Sequence, residues 1–230
     1  MTNEEILQHV DHTLLKAAAS WEEIKILCDE AVRFNTASVC IPPSYVKPAH
    51  DAYGGKLLIC TVVGFPLGYN STAAKILETE TAIREGAAEI DMVINIGDVK
   101  NGNFDRVFEE IKLVKKACLA GKNDKTDSSS GTDKKIILKV IVETCFLTQD
   151  EKIKLCSIVS EAGADYIKTS TGFGSTGAAA EDVMLFKKHI APQVKIKAAG
   201  GIKTREEMES MINAGADRIG SSSAVKILGD

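Results

Sequence analysis

The segment Gly163-Ala164-Asp165-Tyr166-Ile167-Lys168 recurs in outline at two other places in the 230-residue chain, and this repeat decides the fold. Related hexapeptides run from Gly86 to Asp91 (GAAEID) and from Gly215 to Gly220 (GADRIG). In each copy the glycine can end a helix in the left-handed conformation, and a short strand then follows directly. We call this connection from a helix through a glycine to a strand a glycine joint. Its recurrence predicts strands that all enter one sheet from the same side.

Eight short apolar runs alternate with amphipathic stretches of helical length along the chain. The runs lie near residues 8–12, 36–41, 57–63, 88–94, 136–143, 164–168, 194–198 and 216–220. The fifth has the near-continuous apolar character of a strand buried on both faces. Capping boxes at Ser20–Glu23, Thr148–Glu151 and Thr204–Glu207 indicate three helix starts. This alternation predicts an α/β fold of the (β/α)8 TIM-barrel class.

We expect one catalytic barrel domain over residues 1–230, because barrels of this length commonly fold as a single unit. Residues 121–135 read GKNDKTDSSSGTDKK and contain no apolar side chain, so we interpret them as an inserted polar, low-complexity loop. The insertion joins a helix to the next strand. It should therefore lie opposite the end where barrel active sites are built.

Composition and charge exclude several classes of partner. The formal net charge of −4 gives no overall surface for nucleic acid or an anionic membrane. No stretch approaches the ~18 apolar residues of a membrane span, and the first residues lack the basic and apolar regions of a leader. The six cysteines include no Cys-x-x-Cys pair, which favours free thiols over disulfides or zinc. We therefore expect a cytoplasmic protein without a metal.

The last position of each glycine joint should reach the same level of the barrel. Those positions are Asp91, Lys168 and Gly220, and the analogous joints that follow Asn35 and Pro192 add Cys40 and Lys197. Because strand C-termini meet at one end of a barrel, ionisable groups from different strands should converge there.

Lys168 and Lys197 are the candidate chemical groups. A lysine in a buried strand is costly unless it is paired, although a lone lysine at a strand end can extend its charge to solvent. Two ammonium groups on neighbouring strands disfavour each other's charge, so one of them can become a neutral, nucleophilic amine. The pair predicts Schiff-base chemistry. Lys195, two residues earlier, is interpreted as a structural lysine.

Asp91 interrupts the apolar run 88–94 and needs a buried cationic partner, which a lysine pair would supply. It can act with Lys197 as a proton shuttle, or it can be a structural ion pair that holds the lysines. The residues alone leave both roles open.

Glycine and serine clusters follow the last three strands and predict a phosphate site. The clusters are Ser170-Thr171-Gly172, Gly200-Gly201 and Gly220-Ser221-Ser222-Ser223. Glycine lets the backbone approach a ligand, and free amides near a helix start hold an anion. Barrels often bind phosphate with the loops after strands seven and eight.

Six segments of the chain resemble the 2-deoxyribose-5-phosphate aldolases, a class I aldolase family, over nearly the whole length. They are Asp11–Lys16 (DHTLLK), Val39–Pro43 (VCIPP), Val63–Gly68 (VGFPLG), Glu89–Asn95 (EIDMVIN), Ile167–Phe173 (IKTSTGF) and Lys197–Ile202 (KAAGGI). The resemblance implies a phosphosugar substrate, no cofactor and a homodimer.

The resemblance also assigns roles to individual residues. It implies that Lys168 forms the Schiff base and that Asp91 and Lys197 move protons around it. It places Asp11, Thr13 and Cys40 in the sugar pocket. The further candidates for substrate binding are Thr169, Gly172, Gly200, Gly201, Ser222 and Ser223. For Cys40, a small apolar filler is an equal alternative.

One position departs from part of the family, because some members carry lysine where this chain has Phe173. The phosphate charge would then rest on backbone amides, on Ser222 and Ser223, and on Lys203. Two rival functions stay open at this point: another class I phosphosugar aldolase, and a catalytically silent phosphosugar-binding barrel.

Overall fold

A computed structural model describes residues 1–121 and 135–229, and eight parallel strands form its centre. The strands are β1 (Val10–Thr13), β2 (Ser38–Ile41), β3 (Ile59–Val63), β4 (Glu89–Val93), β5 (Ile137–Ile141), β6 (Tyr166–Lys168), β7 (Lys195–Ala199) and β8 (Arg218–Ser221). Each strand pairs with the next along the chain, and β8 pairs with β1, so the sheet closes. The predicted (β/α)8 barrel is confirmed.

Helices fill the connections and pack around the strands. They are α1 (Asn3–Leu7), α2 (Trp21–Arg33), α3 (Val46–Tyr53), α4 (Thr72–Glu85), α5 (Ile96–Lys100), α6 (Phe104–Ala120), α7 (Gln149–Glu161), α8 (Ala180–His189), α9 (Arg205–Ala214) and α10 (Ala224–Leu228). Aliphatic side chains from the outward strand faces and the inner helix faces form one continuous core. None of the helices in the described ranges has the length and apolar character needed to cross a membrane.

The local signals of the sequence hold in the structure. All three predicted capping boxes form, and Thr2 with Glu5 adds a fourth at the start of α1. Gly86, Gly163 and Gly215 have φ angles of 114°, 77° and 115°, so each joint uses the left-handed conformation. The first strand begins two residues later than predicted, because residues 3–7 form α1 and the chain then turns into β1.

Most of the predicted insertion at 121–135 lies outside the described residues, so its character stays a prediction, as does the single-domain organisation. Gly121, which caps α6, and Lys135 are its two described ends. Lys135 donates to Asp165 in the joint before β6, with Nζ and Oδ1 2.6 Å apart. This contact lies on the strand N-terminal side, where the helix-to-strand connection was expected.

A buried ion pair supports the C-terminal end of β4. Lys75 of α4 and Glu110 of α6 are 0% and 5% exposed, and Lys75 Nζ lies 2.9 Å from Glu110 Oε2. The same ammonium donates to the carbonyl of Val93 at 2.8 Å. Burial lowers the pKa of Lys75 and raises that of Glu110, as expected for charges removed from water. The pair links two outer helices to the end of a strand.

Replacing Lys75 should therefore be strongly destabilising. In Lys75→Ala the Glu110 carboxylate stays buried without its cation, so we expect the free energy of unfolding to fall by about 3–5 kcal/mol. Urea denaturation followed by circular dichroism measures this change. Lys112→Ala is the matched control, because Lys112 pairs with Glu109 on the exposed face of α6 and should cost under about 1 kcal/mol. Equal losses in the two variants would contradict the prediction.

Candidate active site

Seven charged side chains from six strands meet inside the barrel. They are Asp11 of β1, Glu89 and Asp91 of β4, Lys139 of β5, Lys168 of β6, Lys197 of β7 and Arg218 of β8. Alternation along a strand directs residues two apart to the same face, which is why Glu89 and Asp91 both point inward. Six of the seven are buried, and the side chain of Arg218 is 15% exposed.

The carboxylate of Asp91 connects three lysines. Its Oδ2 accepts hydrogen bonds from Lys168 Nζ and Lys197 Nζ, each at 2.7 Å, and its Oδ1 accepts one from Lys139 Nζ at 2.8 Å. The thiol of Cys60 donates to Oδ1 at 3.1 Å. Burial opposes the carboxylate charge, but the three ammonium groups outweigh it and hold the pKa of Asp91 well below its usual range.

Lys197 lies between two carboxylates, Asp91 and Asp11. Burial by itself would remove its proton, but the charges of Asp11 and then Asp91 raise the pKa of Lys197 above its ordinary value. Asp11 is in turn held by Lys197, Lys139 and Arg218, which overcome its burial and lower its pKa. Lys197 therefore stays charged, because its two carboxylate partners outweigh the repulsion between ammonium groups expected from the sequence.

The cluster carries one more cation than anion. Lys139, Lys168, Lys197 and Arg218 give +4, and Asp11, Glu89 and Asp91 give −3, so the fully charged set has a net charge of +1. A surplus charge in a buried site is unfavourable. Lys168 is the lysine of the set that lines the open cavity described below.

Lys139, Glu89 and Arg218 were not predicted as site residues from the sequence. Lys139 is fully buried and binds Glu89 Oε2 at 2.6 Å as well as Asp91. The signal was a single lysine inside the apolar run 136–143, which is the same signal that identified Lys168 in its own strand. Glu89 stands two residues before Asp91 and so shares its face. Arg218 binds both Glu89 and Asp11, a pairing that depends on barrel closure.

A cavity of about 290 Å³ opens at the C-terminal ends of the strands above Lys168. Several predicted substrate-binding residues line it, namely Thr13, Gly172, Gly200, Gly201 and Ser222, and so does Lys203. Lys16, Thr171 and Phe173 belong to the same wall. The cavity thus extends from the charged cluster to the loops after β6, β7 and β8.

The backbone of this wall offers unused hydrogen-bond donors. Within the part of the chain that the structure describes, the amides of Gly172, Gly200, Gly201 and Ser222 donate to no protein acceptor. Gly172, Gly200 and Gly201 have φ angles of 87°, 87° and 77°, a conformation that favours glycine. Adjacent free amides of this kind form a nest that suits an anion.

Other predicted site residues lie beside the cavity rather than in its wall. Cys40 is fully buried, and its sulfur lies within 4.8 Å of the Cys60 sulfur. The hydroxyl of Thr169 donates to the Ala199 carbonyl at 3.2 Å and accepts from the Ala199 amide at 3.1 Å, so it bridges β6 and β7. Ser223 directs its amide to Ser221 Oγ at 3.2 Å.

The thiols and carboxylates of the barrel interior include two groups with metal-ligand spacing among the described residues, one of Cys40, Cys60 and Asp91 and one of Asp11, Cys60 and Glu89. Lys139 Nζ donates to Cys60 Sγ at 3.1 Å and to Asp91 Oδ1 at 2.8 Å. An ammonium group already supplies the positive charge at this point, so the geometry fits a lysine better than a divalent cation.

Comparison with known proteins finds close relatives. Residues 6–124 match the DeoC/LacD family aldolase. A deoxyribose-phosphate aldolase of Clostridium botulinum (strain Alaska E43 / Type E3) is 58% identical over 228 residues, which cover 99% of this chain and 96% of the relative. A deoxyribose-phosphate aldolase of Clostridioides difficile (strain 630) is 55% identical over 97% of this chain and 95% of its own length.

A solved structure of a deoxyribose phosphate aldolase is also similar to this chain. The deoxyribose phosphate aldolase of Aeropyrum pernix, described as having a unique tetrameric structure, superposes with a TM-score of 0.86 and 29% identity. The superposition covers 99% of this chain and 91% of that protein.

The lowered pKa values of Asp11 and Asp91 predict how stability depends on pH. A carboxylate with a depressed pKa contributes stability that is present above the unfolded-state pKa of about 3.9 and is lost as pH falls through the folded-state value. Asp91→Asn resembles the protonated side chain and lacks this dependence. The difference in unfolding free energy between the wild type and Asp91→Asn should therefore narrow below about pH 4.

Urea denaturation at a series of pH values measures that difference. A constant gap from pH about 6 to about 2 would show that the three lysines do not stabilise the charged form of Asp91 in the folded protein.

Proposed function

Because this chain belongs to the DeoC/LacD family of aldolases, we propose that Lys168 is the Schiff-base nucleophile of its reaction. The reaction is the reversible cleavage of 2-deoxy-D-ribose 5-phosphate to D-glyceraldehyde 3-phosphate and acetaldehyde. The family resemblance inferred from the sequence is confirmed, and the chain is an aldolase and a lyase.

One observation carries the choice of nucleophile. Of the three inward lysines, Lys168 lines the cavity, while Lys139 and Lys197 are completely enclosed at 0% exposure. A substrate carbonyl can reach only an amine that lines the cavity. The neutral form of an amine is the form that attacks a carbonyl.

The proposed chemistry begins when the neutral Nζ of Lys168 attacks the aldehyde carbon C1 and expels water to form an iminium. A base then takes the proton of the C3 hydroxyl, and the C2–C3 bond breaks. The electron pair of that bond moves into the iminium to give an enamine. Glyceraldehyde 3-phosphate leaves. The enamine is protonated on carbon, and water releases acetaldehyde and regenerates the amine. The iminium accepts the electrons, so the steps require neither a metal nor a cofactor.

Asp91 and Lys197 are proposed to carry protons for these steps. Asp91 Oδ2 lies 2.7 Å from both Lys168 Nζ and Lys197 Nζ, so one carboxylate oxygen links the nucleophile to a second proton donor. Asp11 fixes Lys197 from the other side. A proton can therefore move along the row from Lys197 through Asp91 to Lys168.

The substrate phosphate is proposed to occupy the far end of the cavity, against the loops after β6, β7 and β8. The free amides of Gly172, Gly200, Gly201 and Ser222 support this position, and Lys203 and Lys16 supply positive charge in the same wall. Phe173 then needs no charge of its own. Cys40, Thr169 and Ser223 would support this wall from behind. Thr13, whose hydroxyl donates to the Asp11 carbonyl at 2.7 Å, would lie beside the sugar.

We also propose a cytoplasmic, homo-oligomeric enzyme. All six cysteines are free, as expected in a reducing compartment. The Aeropyrum pernix relative is described as a tetramer, and the dimer expected for this chain remains a proposal.

Reductive trapping tests the nucleophile. Sodium borohydride added with 2-deoxyribose 5-phosphate should attach a stable adduct to Lys168, identified by peptide mass mapping. Lys168→Arg should abolish the adduct and lower kcat by more than about a thousandfold. Lys195→Arg is the matched control, because Lys195 occupies the exposed N-terminal end of β7, with Nζ 5.9 Å from the centre of the Tyr166 ring.

The Lys195→Arg variant should keep both the adduct and the activity. An adduct on any other lysine, or none at all, would refute the assignment. Cleavage of a different phosphosugar in preference to this one would favour another class I aldolase. Substrate binding without turnover would indicate a silent barrel.

A further inference from the structure

Glu143 follows β5 and belongs neither to the charged cluster nor to the wall of the cavity. It is 2% exposed, and its φ and ψ angles of 57° and 70° lie in the left-handed region that side-chain-bearing residues rarely adopt. Among residues 1–121 and 135–229 its carboxylate pairs with no cation. A buried and strained carboxylate is kept only where the surrounding structure holds it in place.

The backbone around Glu143 explains its conformation. The amide of Val142 donates to the Lys168 carbonyl at 3.0 Å, and the amide of Thr144 donates to the Thr169 carbonyl at 2.9 Å. Between these two hydrogen bonds the chain after β5 moves on by two residues and the chain after β6 by one. This offset is that of a β-bulge. Glu143 is the extra residue. Its side chain reaches across to the loop that follows β6.

Thr171 receives that side chain. Its amide lies 3.2 Å from Glu143 Oε1, and its hydroxyl donates to Glu143 Oε2. The same hydroxyl oxygen accepts a hydrogen bond from the Phe173 amide at 3.0 Å. The amides on both sides of Gly172 are therefore used inside the loop, and the Gly172 amide between them is left without a protein acceptor in the described chain.

The opposite side of this loop rests on the loop after β7. The amide of Ala178 donates to the Gly200 carbonyl at 3.0 Å. A Cβ on Gly177 would stand 2.1 Å from that carbonyl oxygen, and a Cβ on Gly172 would stand 3.8 Å from Gly200 Cα. Gly172 and Gly200, which both carry free amides, are held next to each other.

We propose that Glu143 is a positioning residue for substrate binding. Through Thr171 it fixes the conformation in which the Gly172 amide joins those of Gly200 and Gly201 to bind the 5-phosphate. The inference rests on the proposed function and deepens it. The carboxylate does not line the cavity, and both of its oxygens accept hydrogen bonds from Thr171. A charged acceptor holds these donors more tightly than a neutral one.

The primary test separates phosphate binding from Schiff-base formation. KM and kcat are measured with 2-deoxyribose 5-phosphate, together with the inhibition constant of inorganic phosphate. The rate of borohydride trapping with acetaldehyde, which has no phosphate, is the parallel measurement. In Glu143→Ala we expect KM and the phosphate inhibition constant to rise about tenfold. The kcat and the acetaldehyde trapping rate should change less than about twofold. Glu143→Gln, which keeps one acceptor oxygen, should give a smaller rise in KM.

Variants of Thr171 test the same link from the other side. Thr171→Val removes the hydroxyl that connects Glu143 to the Phe173 amide and should reproduce the rise in KM. Thr171→Ser restores a hydroxyl and should return KM towards the wild-type value. If Glu143→Ala fails to fold, as judged by circular dichroism, the Gln and Thr171 variants carry the test.

Two results would overturn the inference. An unchanged KM in Glu143→Ala would mean that the loop keeps its phosphate-binding conformation without the carboxylate, and a lower KM would mean that the carboxylate only repels the phosphate. An equal loss in KM, kcat and acetaldehyde trapping would mean that Glu143 supports the fold in general. Failure of the proposed function is distinguishable, because the wild type itself would then form no acetaldehyde adduct on Lys168.

Discussion

The Asp91 carboxylate and its three ammonium donors are the interaction on which the site depends. Three lysines and an arginine cannot share the interior of a barrel unless carboxylates neutralise them, because an unpaired buried charge is costly. Asp91 pairs with Lys139, Lys168 and Lys197. Asp11 and Glu89 pair with Arg218 and make further contacts to Lys197 and Lys139. The closed barrel makes this arrangement possible by bringing strands far apart in sequence to a common centre.

The same constraint explains how lysines with similar surroundings take different roles. Lys139 and Lys197 are enclosed by carboxylates and stay charged, and the pKa of each is raised once Asp91 and its neighbours outweigh burial. Among the described residues, Asp91 is the one carboxylate that pairs with Lys168, and Lys168 also reaches the cavity. Position relative to the cavity, and the number of carboxylate partners, distinguish the proposed nucleophile from the two lysines that support it.

The proposed binding of the substrate phosphate depends on a different property, the set of backbone amides that the loops leave free. The loops after β6 and β7 are pressed together through Gly172, Gly177 and Gly200, where side chains would collide with backbone or alter φ. A wall of amides binds an anion without adding another cation to a barrel that already has a surplus. The loop after β6 is in turn held by Glu143 at the end of β5.

The sequence by itself determined the eight strands, the capping boxes and the glycine joints, because these depend on residues a few positions apart. It also selected Lys168, Lys197 and Asp91, since a charge in an apolar strand is visible locally. Only the tertiary structure decided that Lys139 and Arg218 complete the cluster and that Glu143 reaches Thr171. Those pairings follow from the register and closure of the barrel, and long-range register leaves no periodic trace in the sequence.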